Sequence, residues 1–277
     1  MKKKLDFSKY FVFKSSLIEK YSFAFLQLIS SIILTNLFGF SSLGLVAVYS
    51  LVISVSTVLS EAGSSILILR SGSLKDGLIA NSFKISIVVS SIIICICFLF
   101  VFMFGHKVET NVLNGFYFYS TLIFFSPLQL ISNTVLVQQR KFKSIFRINL
   151  QAWLISITIT FLIWFFIDKH KNFVLVYFIL INFLRFIFAF RLNKISISFV
   201  MKTNIDFNLN YRISLISSQI FNTFSNNIWT TIIAMRLNLD ANSAYSLFVK
   251  LKDLSIGNLS HSLHRIVIKD VNKNVLF

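Results

Sequence analysis

The sequence predicts an all-α membrane protein, a polytopic bundle of helices that cross a lipid bilayer. Three observations support this fold class: 56 % of the 277 residues are hydrophobic, only 13 % are charged, and the charged residues cluster between long uncharged runs. Soluble domains have about 25 % charged residues, so this chain has too little polar surface to cover a soluble fold. The composition also excludes a disordered chain and argues against a soluble enzyme.

Each predicted span is a run of apolar residues long enough for a helix to cross the hydrocarbon, which takes about 20 residues. Residues 21–60 carry no charge and supply two spans, with Gly39, Ser41, Ser42 and Gly44 marking the turn between them. Five more spans are predicted in the runs 85–105, 110–139, 148–167, 172–190 and 213–235.

The spans divide the chain into four predicted parts. Residues 1–20 mix lysines with large apolar side chains, which indicates an amphipathic cytoplasmic segment on the membrane face rather than a signal peptide. Residues 21–190 form a first bundle of six spans, residues 191–212 a polar cytoplasmic connector, and residues 213–277 an incomplete second bundle. In the second bundle, a weaker eighth span at residues 241–268 contains four charged residues and requires a protein-lined setting.

The distribution of lysine and arginine predicts the orientation of the spans. With the N-terminus in the cytoplasm, the inner segments hold 17 basic residues and the outer loops hold four. Because inner loops are enriched in basic residues, we predict a multi-pass protein with a cytoplasmic N-terminus. The net charge of +17 also raises nucleic-acid binding as an alternative. The basic residues form no continuous face, however, so we expect no nucleic-acid partner.

Three predicted spans carry a stripe of polar side chains on one helix face, at spacings of three or four residues. The stripes are Gln27, Ser31 and Thr35 in the first span, Ser50, Ser54, Thr57 and Glu61 in the second, and Gln219, Asn222, Asn226 and Thr230 in the seventh. Such side chains indicate either hydrogen bonds between packed helices or the lining of a wet cavity. Three stripes in these positions favour a hydrophilic path.

Arg185 lies well inside the sixth predicted span, where an arginine costs about 2.5–3.5 kcal/mol. Its guanidinium indicates either an anion site with phosphate as the matching ligand or a side chain that reaches toward the cytoplasmic end of the span. Lys84, Arg236 and Lys250 are weaker candidates of the same kind, because they lie nearer to predicted span ends.

The sequence contains no signature of enzyme chemistry. It has no Gly-rich phosphate loop, no Gly-x-Ser-x-Gly elbow and no pair of outer-loop carboxylates. Cys95 and Cys97, two residues apart on a predicted helix, indicate neither a disulfide nor a metal site. Glu61 is interpreted as a partner of Arg70 in preference to a titrating group. We expect no enzymatic activity, no catalytic residue, no metal and no cofactor.

Four stretches of the sequence match the pattern of a known family. They are LFGFSSLG at residues 37–44, LSEAGSSILILR at residues 59–70, VLVQQRKFK at residues 135–143, and Asn226-Asn227 together with AYSL at residues 244–247. The first two stretches are similar to the family's turn after the first helix and to the end of its second helix. The third is similar to the loop between the fourth and fifth helices, and the fourth is similar to the beginning of the second half of the fold. On these stretches the chain resembles bacterial polysaccharide (O-antigen) exporters, the Wzx-type flippases of the MATE-like superfamily.

The resemblance implies a fold and a function. The fold would be the first six-helix half of a MATE-like flippase plus about two helices of the second half, with a central cavity between the halves. The function would be to move undecaprenyl-diphosphate-linked oligosaccharide repeat units across the bacterial inner membrane, for O-antigen, capsule or exopolysaccharide biosynthesis. The implied partners are the lipid-linked oligosaccharide, membrane lipids and other polysaccharide-assembly proteins. Candidate substrate-binding residues are Arg185, Arg236, Lys250, Gln27, Asn222 and Asn226.

The chain departs from the family pattern in two ways. It ends after about eight of the family's usual twelve or more helices, and it has Trp229 and Ser243 where many relatives have an acidic residue and a glycine. We therefore expect a C-terminally truncated member, either an inactive fragment or a part that pairs with another chain. Two other functions stay open: a membrane polymerase or acyltransferase of the same pathway, and a MATE-like small-molecule antiporter that would use Glu61.

Overall fold

The computed structural model describes residues 7–71, 76–104, 110–166, 173–195, 200, 209–236 and 239–252. Within these ranges the elements are helices, which confirms the predicted all-α class. In chain order they are α1 (Phe7–Phe38), α2 (Phe40–Glu61), α3 (Ser64–Arg70), α4 (Asp76–Phe104), α5 (Thr110–Gln138), α6 (Phe142–Phe166), α7 (Val174–Asn193), α8 (Leu209–Arg236) and α9 (Leu239–Lys252).

Five of the described helices are long and apolar enough to cross a membrane, and these are α1, α4, α5, α6 and α7. A sixth span is formed if the end of α2 and α3 are counted together, across a bend of 52°. These helices support a multi-pass membrane protein. The seventh predicted span, residues 213–235, is helical but does not reach this apolarity, because its serine, threonine, asparagine and glutamine side chains lower its mean hydropathy. The described helices therefore support up to six of the seven predicted spans, and the seventh, residues 213–235, stays a prediction.

One residue, Gly39, makes the turn between α1 and α2. Its backbone has φ 86° and ψ 159°, a region that is essentially open only to glycine. Its N–H donates to the carbonyl of Thr35 at 2.9 Å and ends α1, while its carbonyl accepts the hydroxyl of Ser42 at 2.7 Å and begins α2. The turn predicted around residues 39–44 is thus confined to a single glycine.

Two consecutive left-handed residues, Ala62 with φ 50° and Gly63 with φ 71°, break the second span between α2 and α3. Such a break leaves carbonyl groups without helical partners. Arg212 of α8 supplies a donor, since its Nη1 lies 2.7 Å from the Ala62 carbonyl oxygen and 3.1 Å from Ser64 Oγ. Arg212, which the sequence placed in the predicted cytoplasmic connector, is therefore a buried tether between α8 and this break.

Glu61 lies on the other side of the same break and is buried. Its Oε1 accepts a hydrogen bond of 2.8 Å from the backbone N–H of Ser65, so the carboxylate satisfies one of the free donors in the first turn of α3. The sequence predicted Arg70 as the partner of Glu61, and the structure adds this backbone role that the sequence did not indicate.

Helices α3, α5 and α7 end close together, and α6 begins beside them. Gln138 Nε2 of α5 donates to the Ser71 carbonyl after α3 at 2.6 Å, and Asn193 Nδ2 of α7 donates to the Ser132 carbonyl of α5 at 2.9 Å. We call this the basic end of the bundle. A core cluster lies beneath it, formed by Leu136, Val137, Phe142, Ile145, Ile148 and Ala189.

The opposite end, which we call the Gly39 end, joins α9 to the first helices. Asn242 Nδ2 donates to the Gly44 carbonyl at 3.1 Å, and Ser243 Oγ donates to the Phe40 carbonyl at 2.6 Å. These bonds, with packing of Leu247 on the core around Leu34, place α9 against α1 and α2.

Three predicted parts are only partly covered by the structure. The segment predicted to lie on the membrane face, residues 1–20, is continuous with α1 from Phe7 onward. Most of the predicted connector, residues 191–212, and the chain after Lys252 lie outside the described residues. The domain boundaries therefore stay predictions.

We predict that Gly63→Ala destabilises the bundle while Gly77→Ala does not. A Cβ on Gly63 would meet Leu215 of α8 at 3.1 Å in a left-handed backbone, whereas a Cβ on Gly77 would meet nothing within 4 Å. The left-handed conformation alone costs about 1–2 kcal/mol for a non-glycine residue, and alanine is favoured over glycine in a helix. Thermal unfolding of both variants in the same detergent measures the difference, and equal midpoints would contradict the assigned tight contact.

Candidate functional site

A polar cavity of about 160 Å³ lies between α1, α7 and α9. Its lining consists of Gln27, Ser30, Ser31, Tyr177, Phe178, Ile181, Asn182, Arg185 and Lys250. Three of the six predicted substrate-binding residues, Gln27, Arg185 and Lys250, therefore meet at one place. Each of the three lies eleven residues from the terminus of its helix at the Gly39 end, which is about 16 Å along the axis. The backbones of these three residues therefore lie about half as far from the Gly39 end as a hydrocarbon core is thick, which is about 30 Å.

Arg185 of α7 is buried, with 8 % of its surface exposed. Its guanidinium lies over the ring of Phe23 on α1, 4.3 Å from the ring centroid. A desolvated cation–π contact contributes about 2 kcal/mol, which offsets much of the cost of an arginine inside a span. The buried Glu19 adds an electrostatic interaction with the guanidinium. Nε of Arg185 nevertheless has no hydrogen-bond partner among the residues that the structure describes.

Lys250 brings a second cation to the cavity from α9. Its Nζ donates a hydrogen bond of 2.6 Å to Ser31 Oγ, and that hydroxyl donates to the Gln27 carbonyl at 2.8 Å. The ammonium is thus held by a neutral hydroxyl of the polar stripe on α1. Among the described residues that line the cavity, none carries a carboxylate or an imidazole. Across the described ranges, no group of three or more His, Cys, Asp or Glu side chains could hold a metal ion.

Ser30 fixes one wall of the cavity by joining three helices. Its Oγ accepts a hydrogen bond of 2.6 Å from Trp153 Nε1 of α6, lies 2.6 Å from the hydroxyl of Tyr177 on α7, and donates to the Leu26 carbonyl at 2.7 Å. With two acceptor positions and one donor, a serine hydroxyl can satisfy all three partners at once. The network holds α1 at a defined distance from α6 and α7.

Sequence reasoning missed several residues of the site. Asn182, which donates to the Phe178 carbonyl at 2.8 Å, lies three residues before Arg185 and therefore on the same face of α7. The three-residue spacing from Arg185 could therefore have identified Asn182 from the sequence. Ser30 and Tyr177 carried no such signal, because their role depends on the contact between α1 and α7.

Of the other predicted residues, the two whose side chains are described do not line the cavity. Asn222 is exposed on α8 and is not part of the lining. Asn226 and Arg236 belong to the same helix, but their side chains lie outside those that the structure describes. Lys84 of α4 is half-buried and also lies away from the lining.

The polar stripe of α2 has local partners. Ser50 Oγ donates to the Ala47 carbonyl, and Ser54 Oγ donates to the Ser50 carbonyl at 2.6 Å. These bonds lie within α2 and show no contact of its stripe with another helix, whereas the stripe of α1 reaches the cavity through Gln27 and Ser31.

The fold and the site together define the class of protein: a multi-pass helical membrane protein with two cations at a cavity between its helices. A family model described as polysaccharide biosynthesis protein matches residues 33–271. The chain belongs to this family, and the match gives it a role in polysaccharide biosynthesis. No curated protein and no solved structure matches the chain significantly.

We predict that Ser30→Ala destabilises the protein by about 1–3 kcal/mol, because it leaves the Trp153 N–H and the Tyr177 hydroxyl buried without their partner. Ser217→Ala is the matched control. Ser217 makes the same kind of bond to its own helix, 2.8 Å to the Ile213 carbonyl, but is exposed. Thermal unfolding in detergent measures both variants, and a Ser30 variant as stable as the Ser217 variant would disprove the proposed bracing role.

Proposed function

We propose that this protein is a membrane flippase that moves undecaprenyl-diphosphate-linked oligosaccharide repeat units across the bacterial inner membrane. The family to which it belongs includes Wzx-like flippases. The observation that carries the proposal is the pair of cations, Arg185 and Lys250, at a polar cavity between the helices. A charged diphosphate that crosses the membrane loses its water, and cations at the cavity offset its desolvation.

The two cations offer complementary contacts for a diphosphate. Arg185 presents Nε, which has no hydrogen-bond partner in the described ranges, and a planar fork of donors that matches phosphate oxygens. Lys250 presents a point charge held by the hydroxyl of Ser31. A phosphate oxygen is a stronger acceptor than a neutral hydroxyl, because charge-assisted bonds are roughly twice as strong as neutral ones. The ligand therefore replaces weak partners with stronger ones.

The lining favours an anionic cargo over the two alternatives. A cation antiporter needs a carboxylate at its site, and Glu61 is instead used at the break between α2 and α3, outside the lining. A polymerase or acyltransferase commonly pairs its nucleophile with a histidine or a carboxylate as the acid–base group. No described residue of the cavity lining carries an imidazole or a carboxylate.

The proposal includes an orientation. We place the basic end and the N-terminus in the cytoplasm, because the loops at that end hold most of the lysines and arginines of the sequence. In this orientation the Gly39 turn faces the outer side, and α8 and α9 belong to the second half of a MATE-like fold. The diphosphate then enters from the basic end and leaves from the Gly39 end.

We predict that a strain without this gene loses surface polysaccharide and accumulates the lipid-linked repeat unit on the cytoplasmic side of the inner membrane. Expression of the full chain from a plasmid should restore surface display. Lipid extraction with mass spectrometry measures the repeat unit, and surface labelling measures the polymer. Normal display in the deletion strain, or a block in cytoplasmic sugar synthesis, would contradict the flippase assignment.

We predict that Arg185→Glu lowers export at least 10-fold, because it places a carboxylate where a diphosphate must bind. Arg185→Lys should retain part of the activity, since it keeps the charge but loses the fork. Lys14→Glu, on an exposed lysine of α1, is the control for a charge reversal away from the cavity. Export is measured by surface display at equal membrane abundance, and unchanged export by Arg185→Glu removes this residue from the mechanism.

A further inference from the structure

A dense basic cluster lies on the surface at the beginning of α6, remote from the cavity. Its four residues are all exposed: Arg140, Lys141, Lys143 and Arg147. The turn that carries the cluster is well defined, because the backbone N–H groups of Arg140 and Lys141 donate to the carbonyls of Val137 and Leu136 at 2.9 and 3.0 Å. Arg140 takes the left-handed conformation that closes α5. The cluster is therefore built on a fixed backbone.

The helices that precede, carry and follow the cluster in the chain add positive charge and contain no acidic residue. Helices α5, α6 and α7 contain no Asp or Glu. The end of α7 adds the exposed Arg191 and Lys194, and the bond from Asn193 to the Ser132 carbonyl holds that end against α5. Like charges within about 10 Å repel each other at ordinary ionic strength, so an anion bound here would relieve the repulsion.

The exposed face of α6 changes from charged to apolar along its length. Lys143, Arg147 and Gln151 follow each other at spacings of four and are exposed. The same face continues with exposed large apolar side chains: Leu154, Ile155, Phe161, Leu162 and Phe165. This apolar strip runs about 16 Å along the helix. Cations at one end of an apolar strip are the arrangement that an anionic lipid requires for its phosphate and its acyl chains.

We propose that the basic cluster and the apolar strip of α6 together bind an anionic glycerophospholipid. The headgroup phosphate contacts Arg140 and Arg147, whose guanidinium forks match phosphate oxygens, and an acyl chain lies along the strip. This surface is separate from the cavity, which is formed by α1, α7 and α9. The proposal does not depend on the proposed flippase function.

The test compares lipid affinities of the purified full chain in detergent by native mass spectrometry. The probes are phosphatidylglycerol and phosphatidylcholine with identical acyl chains. We expect phosphatidylglycerol to bind at least 10-fold more tightly to the wild type. Arg140→Gln with Arg147→Gln should weaken phosphatidylglycerol binding about 10- to 30-fold, since each cation near an anionic headgroup contributes about 1 kcal/mol. Added salt should weaken it as well.

Two further variants make the result specific. Arg140→Lys with Arg147→Lys keeps both charges and should retain most of the phosphatidylglycerol affinity, which also shows that the turn tolerates substitution. Lys14→Gln with Lys252→Gln removes two exposed cations elsewhere and should change the affinity less than 2-fold. A glutamine variant at the cluster that binds like the wild type, or a control that loses as much affinity, would overturn the proposal.

A third probe distinguishes a lipid from a soluble anion. Inorganic diphosphate carries the same phosphate chemistry without acyl chains. If it displaces phosphatidylglycerol at equal concentration, the cluster is a general anion site and the lipid assignment is wrong. If displacement needs a large excess of diphosphate, the strip contributes to binding as proposed.

Discussion

The burial of a guanidinium inside the helical bundle is the constraint on which the rest of the site depends. Arg185 cannot stay in an apolar bundle without partners, because the hydrocarbon offers no hydrogen bonds. The ring of Phe23 and the buried charge of Glu19 stabilise the guanidinium from the side of α1. The arginine therefore determines which face α1 turns toward α7, and this face is the one that carries the polar stripe.

Helices α8 and α9 are attached to α1, to α2 and to the break before α3 by polar bonds at three levels of the bundle. Asn242 and Ser243 bind the beginning of α2 at the Gly39 end, Lys250 binds Ser31 at the cavity, and Arg212 binds the break between α2 and α3. Each bond satisfies a backbone or hydroxyl group that the apolar surroundings would leave unpaired. Polar tethers are suited to this role because apolar packing gives little preference for protein over lipid.

The sequence predicted the helices well and the site in part, for physical reasons. Apolar runs between charged clusters locate the spans, because a charged side chain is costly in the hydrocarbon. The cost of a charge in hydrocarbon also singled out Arg185 and Lys250, since a charged side chain within a predicted span needs a partner or a wet cavity. Ser30 and Tyr177 could not be found in this way, because an uncharged polar side chain has many inexpensive partners within its own helix.

Arg212 of α8 shows what the sequence could not predict. Arg212 was read as a connector residue because it precedes an uncharged run, yet it reaches a carbonyl 150 residues away. Nothing local in the sequence indicates that Ala62 and Gly63 would leave that carbonyl open to it. Contacts of this kind follow from the bend of the second span, which depends on the left-handed backbone of two residues.

The neutral partners of Lys250 bear on how an anion could be both bound and released. A carboxylate beside Lys250 would hold the ammonium strongly, and an incoming phosphate would gain little by replacing it. The hydroxyl of Ser31 holds it more weakly, so a phosphate can take over the contact and later return it to the serine. A transport site has to bind its cargo without retaining it, and the combination of two cations with hydroxyl and amide neighbours meets both requirements. The chemistry of the cavity thus favours transient binding of an anion over a permanent ion pair.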